Sequence, residues 1–131
     1  MVRAALEAQW QAAVERADAA AKGADEAASR LNALLAELGS LSAPFPALCA
    51  AALDRRQAYT QQLRAACEAA EARALDAGVL RARAEAAAAD LHRQVLGLQV
   101  LADRAARTEA LNRMRAADRE ADERNGQRPR R

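Results

Sequence analysis

The chain is short of nearly everything from which a globular core is built. Aromatic residues make up 2% of it, one each of Trp, Tyr and Phe, and β-branched residues are almost absent. With so few large side chains, 131 residues cannot close a thick apolar interior, and strands have little to recruit. Only five glycines occur, placed singly at Gly23, Gly39, Gly78, Gly97 and Gly126, so no glycine-rich loop cradles a phosphate. The single histidine, His92, has no cysteine or second histidine at ligand spacing, which excludes a metal site of the usual kind and makes it a solvent-facing helical residue. No run approaches the ~20 apolar residues that cross a bilayer, so no direct membrane insertion is expected. Glu7 and Glu15 interrupt the N-terminus where a secretory leader needs an uncharged stretch, so the chain is expected to stay in the cytoplasm. Cys49 and Cys67 would lie roughly 27 Å apart on one helix, beyond disulfide reach, and read as reduced fillers.

Ala, Leu, Arg and Glu fill the space left by these absences, the composition of long helices or coiled coil. Charged residues are 29% of the chain, 20 basic against 18 acidic, for a net charge of +2. Interspersed charge of both signs marks a solvated helical surface, whereas nucleic-acid binding calls for basic residues gathered on one face, so no nucleic-acid partner is expected. Carboxylates such as Asp18, Asp25 and Glu26 fall on helix surfaces without the cleft that acid–base catalysis needs. The chain reads as non-enzymatic and cofactor-free.

The spacing of apolar residues gives the architecture. Leu6, Trp10, Ala13, Ala17, Ala20, Ala24, Ala27, Leu31, Leu34 and Leu38 follow one another in alternating steps of four and three, an a/d heptad seam with large residues at its ends and alanine in its middle. A second series runs Tyr59, Leu63, Ala66, Ala70, Arg73, Ala77, Leu80, Ala84, Ala87, Leu91, Gln94, Leu98, Leu101 and Ala105, with Arg73 and Gln94 as polar members. A broader apolar face extends from Leu91 through Val95, Leu98, Leu101, Ala102 and Leu111 to Met114. Acid-before-base pairs four residues apart, Glu26 with Arg30, Asp103 with Arg107, Glu109 with Arg113 and Glu120 with Arg124, support both helices.

Between the two series lies "GSLSAPFP", which holds two of the three prolines and the only phenylalanine. Gly39 suits the position just past a helix end, and proline is tolerated where the next helix starts. The expected fold class is all-α, a long antiparallel helical hairpin: helix 2–38, turn 39–46, helix 47–123, in one coiled-coil domain over 1–124, with a disordered basic tail at 125–131. Leu41 and Phe45 either fold back onto the helix ends or offer an apolar tip to a partner. Because the second helix is about twice as long as the first, either its far half projects alone or the chain bends again near Gly78 into a three-helix bundle.

The segment "LADRAARTEALNRMRAADREADERNGQR", with evenly spaced Arg and Glu leading to an acidic pair and a basic end, resembles the charged end of the small coiled-coil stalk proteins of type III secretion and flagellar export, the FliJ and YscO kind and their Hrp-type relatives. The resemblance covers the whole chain loosely through its size and helix order. It implies a cytoplasmic shaft, peripheral at the base of a membrane secretion apparatus, that stands in the pore of a hexameric secretion ATPase and links it to an export-gate protein, with secretion chaperones as further partners. On that reading Arg3, Trp10, Arg107, Arg113, Arg115, Arg119 and Arg124 lie together at the ring end, while Leu41 and Phe45 form the gate-facing tip. The unequal helix lengths depart from a pattern in which both chain ends reach the ring. The competing function is a helical adaptor or secretion chaperone that self-associates through the Leu91 to Met114 face.

Overall fold

The computed structural model describes residues 2–41 and 49–127. It contains two helices, α1 over Val2–Ser40 and α2 over Ala50–Gly126, packed along one another in antiparallel fashion. Trp10 faces His92, Asp25 faces Arg81, Glu37 faces Tyr59 and Leu41 faces Arg56, so residue numbers run in opposite directions along the two helices. At 1.5 Å per residue, α1 spans roughly 58 Å and α2 roughly 115 Å.

The α1 seam is the one its heptads specify. Every member from Leu6 to Leu38, and Leu41 after it, is buried or half-buried, with Ala13 the most enclosed. On α2 the covered row is Ala52, Arg56, Thr60, Leu63, Cys67, Ala70, Ala74, Ala77, Arg81, Ala84, Ala88, Leu91, Val95 and Leu98. Six of the fourteen members of the expected series are therefore correct, Leu63, Ala70, Ala77, Ala84, Leu91 and Leu98, and its last step to Leu101 and Ala105 is exposed. Its alternate members are displaced by one residue, with Thr60 in place of Tyr59, Cys67 of Ala66, Ala74 of Arg73, Arg81 of Leu80, Ala88 of Ala87 and Val95 of Gln94. Arg73 and Gln94 are exposed and interrupt nothing. From Leu63 onward, the steps four-then-three fit α1 better than three-then-four, because they bring Cys67 and Val95 inward and leave Leu80 and Leu101 outside. The hydroxyl of Thr60 is satisfied within its own helix by the Arg56 carbonyl at 2.8 Å, so the seam accepts it without an orphaned donor.

This seam is a line of contact rather than a volume. Among the described residues only Ala13, Leu63, Cys67, Ala70 and Val95 are buried, and no buried side-chain polar atom lacks a partner. An ion pair crosses between the helices: Arg81, held by Glu85 of its own helix at 2.9 Å, reaches Asp25 of α1 at 3.5 Å. These carboxylates raise the already high pKa of Arg81, with the Glu85 hydrogen bond contributing most, so the guanidinium stays charged.

The end of α1 departs from expectation. Gly39 lies inside the helix and has no positive φ, so the left-handed glycine cap is not used. Terminal carbonyls are satisfied in other ways: Leu41 N–H donates to Leu38 O at 3.2 Å, Ser40 Oγ donates to Glu37 O at 2.7 Å, and the Arg56 guanidinium of α2 donates to Leu41 O. The opposite helix thus supplies a cap that a glycine would have supplied locally. Most of the expected turn, including Phe45, lies outside the described residues.

There is no third helix among the described residues, and α2 runs through Gly78 without interruption. A Cβ at Gly78 would meet nothing within 4 Å, so no close approach demands glycine there, and its surroundings of strong helix formers carry the helix across it. At the other end α2 continues to Gly126, three residues past the expected end at 123, with Gln127 N–H donating to Glu123 O at 3.1 Å; of the expected tail, 128–131 lie outside the described residues.

Candidate partner-binding surface

Among the described residues nothing of α1 covers α2 beyond Leu98, and every residue from Gln99 to Gln127 is exposed. The overhang from Ala102 to Gly126 is a single helix of about 25 residues, roughly 37 Å long. Its helicity needs no core. It extends a helix already nucleated by the packed stem, and its Ala, Arg and Glu content makes each added residue nearly free of cost. Two of the four expected acid-before-base pairs form, Glu109 with Arg113 at 2.5 Å and Glu120 with Arg124 at 3.9 Å, each worth about 0.3–0.5 kcal/mol at most. Glu26 with Arg30 and Asp103 with Arg107 do not pair.

The residues expected at the ring end divide into two groups. Arg3 is exposed at the start of α1 and pairs with Glu7 at 3.0 Å. Trp10 is half-buried and stacks on His92, ring centroids 4.7 Å apart and planes 13° from parallel. The pair thus lies about two turns inside the open end of the hairpin, and His92, exposed as expected, has one face occupied. Arg107, Arg113, Arg115, Arg119 and Arg124 are all exposed on the overhang. Arg107, Arg115 and Arg119 make no ion pair among the described residues. At 100° per residue these five arginines are spread around the helix rather than ranged on one face.

Among the described residues these two groups therefore do not meet. Val2 and Leu6 lie beside Leu98 and Leu101, at the root of the overhang, while Arg124 stands roughly 35 Å further along. At the other end of the hairpin, Leu41 is half-buried at the α1 terminus, where its carbonyl accepts from Arg56; Phe45 lies outside the described residues.

A feature that the heptads did not single out is an open apolar groove at the overhang root, lined by Val2, Leu6, Gln94, Gly97, Leu98, Val100 and Leu101. The alternating steps of the seam would place Arg3 before Leu6, so the heptad series gives no signal for Val2. The expected Leu91 to Met114 face is split by the same geometry: Leu91, Val95 and Leu98 pack against α1, while Leu101, Ala102, Leu111 and Met114 face outward.

Nothing in the described residues gathers reactive groups. No cluster of three or more His, Cys, Asp or Glu side chains forms among them, and no described helix is long and apolar enough to cross a membrane. No protein-family model, curated protein or solved structure matches the chain.

Proposed function

We propose that this chain is a non-enzymatic central stalk of a type III secretion system, working in the cytoplasm at the base of the secretion apparatus, with the α2 overhang as the part that enters a hexameric secretion ATPase. The observation that carries the reading is the mismatch of helix lengths, a two-helix stem that ends at Leu98 and a single charged helix that continues for roughly 42 Å beyond it. One helix is slender enough for the centre of a ring. The overhang offers Arg104, Arg107, Arg113, Arg115, Arg119 and Arg124 against Asp103, Glu109, Asp118, Glu120, Asp122 and Glu123, six of each sign and all exposed. Solvated charges of both signs on a spread of directions give many weak, salt-screened contacts, which suits a shaft that moves between equivalent ring positions better than one tight lock would.

On this reading the ring end is formed by α2 alone, with Arg3 and Trp10 stationed at the shoulder where the stem meets the ring mouth. The opposite end of the hairpin, at Leu41, faces the export-gate protein.

The test is ATP hydrolysis by the cognate hexameric ATPase with the full chain and with a chain ended after Leu101, which keeps the whole helix–helix seam. Stimulation by the full chain that is lost on truncation supports the stalk. An unaffected ATPase, or equal stimulation by the truncated chain, rejects it.

A further inference from the structure

The face of α2 turned away from α1 carries a second heptad row. Leu75, Val79, Ala82, Ala86, Ala89, Arg93, Leu96, Val100, Asp103, Arg107, Ala110, Met114, Ala117 and Ala121 alternate in steps of four and three without a break. All are exposed, Leu75 at 67% and Met114 at 63%. The row stands alternately one and two residues beyond the α1-facing seam, so its centre lies about 150° around the helix, and Leu96 and Val100 border α1 only across open grooves. The hairpin explains the inner seam and leaves this one uncovered.

We propose that the outer row is the interface between two copies of this chain, packed antiparallel through α2 about a two-fold axis level with Leu98. That register meets three demands at once. It sets Leu96 of one copy against Val100 of the other, and then a large residue against a small one, Met114 on Ala82, Val79 on Ala117 and Leu75 on Ala121, as interdigitating layers require. Of the three charges within the row it brings Arg93 onto Asp103 of the second copy and sets Arg107 over Ala89. It also aligns flanking charges, Asp90 with Arg104 and Glu85 with Arg113, each pair occurring twice by symmetry. The one like-charged pair, Asp76 with Asp118, falls near the ends of the overlap, where water screens it.

Neighbouring registers are worse. Sliding by one heptad in one direction sets Arg83 against Arg104, and in the other Glu85 against Glu120; both separate Arg93 from Asp103. In the single chain Asp103 has no ion pair among the described residues, and Arg93 is held only by Asp90 on the surface at 2.5 Å, a contact easily exchanged.

The dimer covers the overhang, laying residues 102–121 of each copy along 75–94 of the other. A ring-bound stalk and this dimer therefore exclude one another, although the dimer stands whether or not the stalk reading holds, and its test contains no ATPase.

Sedimentation equilibrium of the full chain over roughly 1–100 µM is expected to show a monomer–dimer equilibrium. Arg93→Asp alone and Asp103→Arg alone each weaken it about tenfold, since each turns two attractions into two repulsions, and the double exchange restores it to within about threefold. Monomer throughout, a larger oligomer, or a double exchange as weak as the singles overturns the proposal. An independent measurement uses chains with Cys49→Ser and Cys67→Ser. Mixing a Leu96→Cys chain with a Val100→Cys chain is expected to give the mixed disulfide in preference to either like pair, and indiscriminate cross-linking overturns the register.

Discussion

Val95 and Gln94 are neighbours on α2, and the antiparallel seam assigns them opposite fates. Val95 is 6% exposed against α1, whereas Gln94 faces solvent beside the root groove. Val95→Ala removes two buried methyl groups at about 0.8 kcal/mol each, about 1.6 kcal/mol in transfer terms. The further cavity contribution is small, because a two-helix seam is open on both flanks and its neighbours can close on the gap, so the expected loss is about 2 kcal/mol. Gln94→Ala exposes nothing and trades one good helix former for a better one, so its effect stays within about 0.5 kcal/mol and is expected to stabilise if anything. Urea unfolding followed by far-ultraviolet circular dichroism reads the difference. With a slope of about 1.5 kcal/mol/M, Val95→Ala lowers the midpoint by about 1.3 M at unchanged slope, while Gln94→Ala barely moves it. If Gln94→Ala costs as much as Val95→Ala, the seam runs one residue out of place and α2 does not meet α1 through the Val95 row.

Two further outcomes test the hairpin at other points. Tyr59, the only tyrosine, donates its hydroxyl to the Glu37 carboxylate of α1, which raises its pKa above the ordinary 10 chiefly through that hydrogen bond, with desolvation and the carboxylate charge adding to it. The folded pKa being the higher, the contact's contribution is complete below about pH 10 and is lost as pH rises through the folded value. Phenolate absorbance should therefore develop at higher pH in the folded chain than in urea, and Glu37→Ala should erase the gap; coincident titrations of folded and unfolded wild type would refute the contact. Of the two free thiols, Cys49 is exposed and Cys67 is buried in the seam, so one equivalent of a thiol reagent is expected to react rapidly under native conditions and the second only on unfolding. Two rapid equivalents would place Cys67 outside the interface.

Residue order alone accounts for the part of the architecture that local period governs. Ala, Leu, Arg and Glu at helical spacing, with few breakers outside "GSLSAPFP", fix two helices, and on α1 the leucines and Trp10 single out one row because no neighbouring row offers as many large apolar side chains. A short connection between long helices then makes the pairing antiparallel, as found. On α2 that logic fails for a physical reason. Alanine flanks alanine at 86 to 89, and Leu80 and Leu101 compete with Cys67 and Val95, so rows one residue apart present nearly equal apolar surface and helix period cannot choose between them. Only the fit against α1, with its large ends, its alanine centre and the reach of Arg81 to Asp25, selects the row. The same holds for the end of α1, where Arg56 from the opposite helix replaces a glycine cap, and for the start of the overhang, which is set by where α1 stops covering α2 rather than by any change in α2's own composition. Spacing along a helix is a local quantity, and which face is buried is decided by the surface that meets it.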